Sequence, residues 1–156
     1  GLTQKGGAVH IHCRLAEEAC DIHAIRVSTG ECDTLIGGDL VVSAGAKTLG
    51  LMSTGRTCGV VNSHEVMTGD FTRNPDFSLN ATELGQAIQI AVGDDNADFV
   101  EATRYATALL GDSIATNLFM LGYAWQKGLV PISGEALQQA TALRSIRHGW
   151  PVRPTR

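Results

Sequence analysis

No two cysteines in this chain stand at chelating spacing. Cys13, Cys20, Cys32 and Cys58 are irregularly separated and no CxxC occurs, whereas zinc and iron–sulfur sites announce themselves by close pairs. Metal bound through cysteine is not expected, and reduced thiols point to a cytoplasmic protein. A long apolar run is missing too. The most apolar stretch, Ser113 to Trp125, is 13 residues long and contains Thr116 and Asn117, whereas a membrane-spanning helix needs about 20. Gly1 to Gly7 is polar and glycine-rich, without the apolar core of a secretory signal. No acid follows Glu135, where Arg144, Arg147, Arg153 and Arg156 stand; the residues before them hold 8 basic and 16 acidic side chains. A net charge of −4 gives no reason to expect nucleic acid. There is no internal repeat and no low-complexity segment.

What is present is ordinary for a folded domain: 156 residues, 44% hydrophobic and 18% charged, enough for one core. Val9, Ile11, Cys13 and Leu15 alternate with His10, His12 and Arg14, the period of a half-buried strand whose polar face meets solvent, a neighbouring domain or a ligand. His10, His12 and Cys13 are potential ligands, but the alternation explains them without a metal. Asp21 to Val27 is a second short alternating run. Leu40 to Ser43 and Gly59 to Val61 are continuous apolar runs suited to strands covered on both faces. Between them Ala46 to Ser53 forms a short helix stopped at Gly55, which makes a βαβ unit.

Further on, Asn80 is expected to cap a helix with Glu83 closing the box, and Gly93 to end it. After a Gly-Asp-Asp-Asn turn, Asp98 is expected to cap a longer helix. It carries Ala102, Ala106, Leu109, Leu110, Ile114, Leu118 and Leu121, and Lys127-Gly128 closes it. Gly111 and Gly122 lie inside, suggesting close packing against another helix or subunit. A third helix runs from Ser133 to about Leu143. The expected class is α/β: a partial Rossmann-like parallel sheet followed by a helical C-terminal half, with a first strand, glycine turn and helix wanting.

Three separated stretches, GLTQKGGAVHIHCR, VVNSHEVMTGDFTRNPDF and ATALLGDSIATNLFMLGYAWQKGLVP, closely resemble the gamma-type domain of the 2-oxoacid:ferredoxin oxidoreductases, in the long fused form known as indolepyruvate ferredoxin oxidoreductase. The likeness spans about residues 1 to 142. It implies one domain over residues 1–143, lacking the family's first βαβ element, and a basic, unstructured tail over 144–156. It also implies a parent enzyme that oxidatively decarboxylates a 2-oxoacid to an acyl-coenzyme A. Thiamine diphosphate, magnesium, [4Fe–4S] clusters and coenzyme A would serve the parent, and none would be bound by this fragment alone. The partners implied are other domains or subunits of that oxidoreductase, ferredoxin through the parent, and a second copy in a homo-oligomer, without membrane or nucleic acid. The family tends to carry a cysteine at the position of Gly38 and none at Cys13, Cys20 or Cys32.

Candidate chemistry gathers at two places. Gln4, Lys5, Gly6 and Gly7 either present N–H groups and an ammonium to an anion or form a tight turn; the resemblance puts them on the active-site side. Asn62, Ser63, His64 and Glu65 follow a parallel strand, where ligands of open α/β sheets collect. His64 is the catalytic candidate, able to move a proton near neutrality, or else orders the following MTGDFTR loop through a hydrogen bond. Ser-His-Glu in direct succession is no hydrolase triad, since neighbours on a strand face opposite ways. Asp70 and Arg73 are expected to pair, and Asn117 to bond between helices.

Overall fold

The computed structural model of the chain describes residues 8–64 and 77–147, the second stretch with side chains from 81 to 142. Three strands, β1 (Thr34–Gly37), β2 (Cys58–Asn62) and β3 (Ala97–Val100), lie side by side in that order. All are parallel: Thr34 is opposite Cys58, and Gly59 opposite Ala97. Helices α1 (Leu40–Ser43) and α2 (Ala46–Leu49) join β1 to β2, and α3 (Phe77–Val92) precedes β3. Then come α4 (Ala102–Leu110), α5 (Thr116–Gln126) and α6 (Gly134–Arg147). The class is α/β.

β2 is central and buried on both sides because its residues alternate between two apolar layers. Val61 packs with Ala44 of α1 and Ile88 of α3, joined by Leu35, Leu84 and Phe99. Val60 packs the other way, with Ala102, Met120 and Ala124. Each fully buried valine contributes on the order of 1.5–3 kcal/mol of transfer free energy. Thr57 enters this interior with its hydroxyl satisfied, donating to Cys32 O at 2.6 Å and accepting from Ser53 N at 2.9 Å.

The structure moves several expected elements. Leu40–Ser43 is helical rather than a strand, because the Asp39 carboxylate accepts from Val42 N at 2.8 Å and starts a helical turn; the strand lies just upstream at Thr34–Gly37. The βαβ connection survives that shift. The next helix ends at Leu49 with Gly50, short of Ser53. α3 begins at Phe77, so Asn80 lies inside it. Gly93 does end it, its N–H donating to Gln89 O at 2.7 Å. Asp98 caps no helix. It stands in β3, paired with Lys127 at 3.0 Å, which raises the lysine's pKa.

The single long helix expected after Asp98 is two. Gly111 takes φ +77°, the left-handed conformation that ends α4. A Cβ at Gly111 or Gly122 would touch nothing within 4 Å among the described residues, so neither glycine packs closely against them. The helix expected from Ser133 is α6; Ser133 caps it, accepting from Ala136 N at 3.1 Å. α6 continues to Arg147, so the first residues of the expected tail are helical.

Neither alternating N-terminal run forms a strand, and no described strand pairs with either. The alternation near the start is real but inverted. Val9, Ile11 and Leu15 are exposed, and the polar side faces the body. Thr48 Oγ1 already donates to Val42 O, so His10 Nε2 donates to Thr48 Oγ1 at 2.9 Å. His12 Nδ1 accepts from Val27 N at 3.1 Å. Arg14 donates to Arg26 O and to the Glu31 carboxylate, each at 2.8 Å.

Candidate functional site

Parallel strands put all their carboxyl ends on one side, and a polar cluster is built there. At its centre is Asn62, the last residue of β2, only 4% exposed. Its Nδ2 donates to Gly38 O at 3.2 Å, beyond β1, and to Thr103 Oγ1 at 2.9 Å, in the first turn of α4. Its Oδ1 accepts from His64 N at 3.2 Å and from Thr103 N at 3.4 Å. Glu101 is the N-cap of α4 but makes no side-chain capping bond; Asn62 supplies that acceptor from the neighbouring strand. One buried amide thus ties the ends of β1 and β2 to a helix start. Ser63 N donates to Val100 O at 3.0 Å and extends the ladder one step.

His64 follows directly and is exposed. Its backbone is fixed by Asn62, and its ring has no hydrogen-bond partner among the described residues. The ring is therefore open to solvent or to a ligand. Thr116, nearly buried, donates to Ser113 O at 2.6 Å and lies 3.4 Å from Thr103 Oγ1, closing the cluster on the α5 side. Asn117 is exposed and makes no interhelix bond among the described residues, contrary to expectation; its Oδ1 lies 3.8 Å from where a Gly38 Cβ would be. A Cβ at position 38 would meet only that Asn117 oxygen within 4 Å among the described residues.

The turn between β1 and α1 is glycine-rich yet poorly suited to a diphosphate. Gly37 is there for packing: a Cβ would collide with Ser43 Oγ and come within 3.3 Å of Val61 Cγ1. The helix start is already occupied by the Asp39 carboxylate, which would repel phosphate.

Asn62, Ser63 and His64 are thus brought together as anticipated, whereas Gln4, Lys5, Gly6, Gly7 and Glu65 lie outside the described residues, as do Asp70, Arg73 and the loop His64 was expected to order. Gly38, Thr103, Thr116 and Asn117 were not singled out as site residues. Only a hydroxyl one residue into a helix could have flagged Thr103, a weak signal without knowing where β3 ends. Among the described residues no group of three His, Cys, Asp or Glu is placed to hold a metal. Burial raises the Cys32 thiol, which donates to Thr34 O at 3.2 Å, so it is protonated and unreactive. Cys13 and Cys20 are exposed and free. No described helix is long and apolar enough to cross a membrane. Comparisons with family models, curated proteins and solved structures gave no match to this chain.

Proposed function

We propose that this chain is the gamma-type domain of a thiamine diphosphate-dependent 2-oxoacid:ferredoxin oxidoreductase of the indolepyruvate type, supplying domain contacts and one wall of the substrate or coenzyme A cleft. The observation that carries the reading is His64, an open imidazole held at the carboxyl end of the central parallel strand by a buried asparagine, inside the stretch VVNSHEVMTGDFTRNPDF. Helices on both faces of three parallel strands support a partial Rossmann-like sheet. In this reading thiamine diphosphate stabilises the carbanion left by decarboxylation and clusters take up the electrons singly. In this reading both groups are held by other domains of the parent enzyme. What this chain's residues do is bind and orient. Gly38 leaves room, Asn62 fixes the loop, and His64 hydrogen-bonds or exchanges a proton with the group seated there.

A free-standing nucleotide-binding module is the second reading, and the Asp39 carboxylate at the glycine turn weighs against it. Amide chemical shifts of the chain titrated separately with coenzyme A, thiamine diphosphate and NAD decide between them. Coenzyme A is expected to move residues 38, 62–64 and 103 and to lose that effect in His64→Ala, while the other two move none. NAD shifts centred on Gly37 and Gly38 would favour the second reading, and silence toward coenzyme A would remove the cleft assignment.

A further inference from the structure

The two histidines that hold residues 9–15 against the body do so in opposite roles. His10 Nε2 donates to Thr48 Oγ1 at 2.9 Å, because that hydroxyl gives its own proton to Val42 O. His12 Nδ1 accepts from Val27 N at 3.1 Å. A backbone N–H can only donate, so this second bond exists only while Nδ1 carries a lone pair. The neutral His12 ring therefore keeps its proton on Nε2. A further proton goes to Nδ1, makes both ring nitrogens donors and sets one N–H against another. The same event on His10 leaves its bond intact, since Nε2 donates in the neutral and the charged ring alike.

The bonds on either side of Val27 do not depend on a histidine. Gly30 N donates to Gly50 O at 3.1 Å and Cys32 N to Leu51 O at 2.9 Å, which fastens the turn at 26–31 to the chain after α2. Arg14 donates to Arg26 O from Nε at 3.1 Å and from Nη2 at 2.8 Å. The charged and titratable groups on the parts joined here are Arg14 and His10 on the segment, Arg26 and Glu31 in the turn, and Lys47 beside Thr48 on α2. Glu31 is engaged by Arg14 at 2.8 Å and by Ser28 N at 3.2 Å. Glu17, Glu18, Asp21 and His23, in the loop between, are exposed. Among the described residues none of these groups bonds to the His12 ring, so no carboxylate offsets the loss of Val27 when Nδ1 takes a proton.

We propose that His12 is a pH-sensitive latch between residues 9–15 and the turn at 26–31: protonated at Nδ1, it lets go of Val27 N–H, while His10 holds on to Thr48. Histidine changes charge between about pH 5 and 8. The bond is made by the neutral ring, so it is present at the alkaline end of that range and lost as pH falls. Glu31, the other titrating group of this tether, is held below 4.5. The tether therefore loosens in two steps, at His12 in mildly acidic solution and at Glu31 only in stronger acid. The latch does not rest on the reading of His64.

Nuclear magnetic resonance on the 156-residue chain tests it. At about pH 8 the His12 ring should show the Nε2–H tautomer. Protection of the Val27 amide, corrected for intrinsic exchange, should fall about fivefold on going to about pH 5, while the amides of Gly30 and Cys32 stay protected. His12→Asn, whose carbonyl oxygen accepts without titrating, should remove that step. His10→Gln, which keeps a donor toward Thr48, should leave it in place. An Nδ1–H tautomer or an unprotected Val27 amide at the alkaline end overturns the proposal. So does protection that is constant with pH, a step that survives in His12→Asn, or one that disappears in His10→Gln.

Discussion

The carboxyl end of the sheet and the N-terminal segment use the same kinds of residue in opposite ways. Around Asn62 a buried amide with four hydrogen bonds joins the ends of β1 and β2 to α4, and valines fill both layers beneath it. Along residues 9–15 the apolar side chains stand in solvent, and two histidines and an arginine tether the segment through hydroxyl, amide and carbonyl groups. Alternation alone therefore does not say which side is buried. A strand-like period needs a partner strand to turn its apolar side inward. Without one, the polar side takes whatever hydrogen bonds the body offers.

Two isoleucines put this contrast to its hardest test. Ile88 is 0% and Ile11 83% exposed. Ile88→Ala should destabilise by about 2–5 kcal/mol, and Ile11→Ala by less than about 0.5 kcal/mol, both read from denaturant midpoints. Equal losses would mean that the N-terminal segment is covered in solution and that the contrast is false.

Asn62→Ala comes next. It leaves Gly38 O, Thr103 N–H and His64 N–H without their partner. The expected loss is about 2 kcal/mol, together with faster amide exchange at His64 and Thr103. A variant as stable as the parent, with unchanged exchange, would show that the amide does not organise this end.

The smallest effect concerns pH. The Glu31 carboxyl is held below its ordinary 4.5 chiefly by the Arg14 hydrogen bond, then by Ser28. A depressed carboxyl contributes its stabilisation above the unfolded value and loses it as pH falls through the folded one. Amide protection of Ser28, whose N–H donates to Glu31, should therefore fall below pH 4.5 while that of Ser63, bonded to Val100 O, persists. Protection at Ser28 that survives to about pH 2 would show that the tether does not depend on this carboxylate. The pair is exposed, and so the effect on global stability is small.

Much of the β2 end was legible because its signals are local and redundant. Gly59 to Val61 is short, apolar and followed by polar residues, so a parallel strand ending near Asn62, with His64 just beyond, followed from pattern alone. Leu40–Ser43 shares that apolar character and became a helix. The deciding group, Asp39, lies outside the run and acts by one hydrogen bond. Asp98 carried a capping signature that β3 overrode, since pairing with β2 satisfies more backbone groups than a cap would. Thr103 gave only a weak sign of its role because its partner Asn62 is 41 residues away in the chain.

By itself the sequence determined the α/β class, the strand at Gly59–Val61, the stops at Gly93 and Gly128, and the helix from Ser133. These rest on short-range rules of backbone conformation and apolar period, which act within a few residues. Only the tertiary structure decided which side of residues 9–15 is buried, that β3 is an edge, that α4 ends at Gly111 with its large apolar residues outward, and that Asn62 caps a helix 40 residues away in the chain. Each of these depends on what lies across space from a residue, and hydrogen-bond partners and packing neighbours at that range leave no periodic trace in the chain.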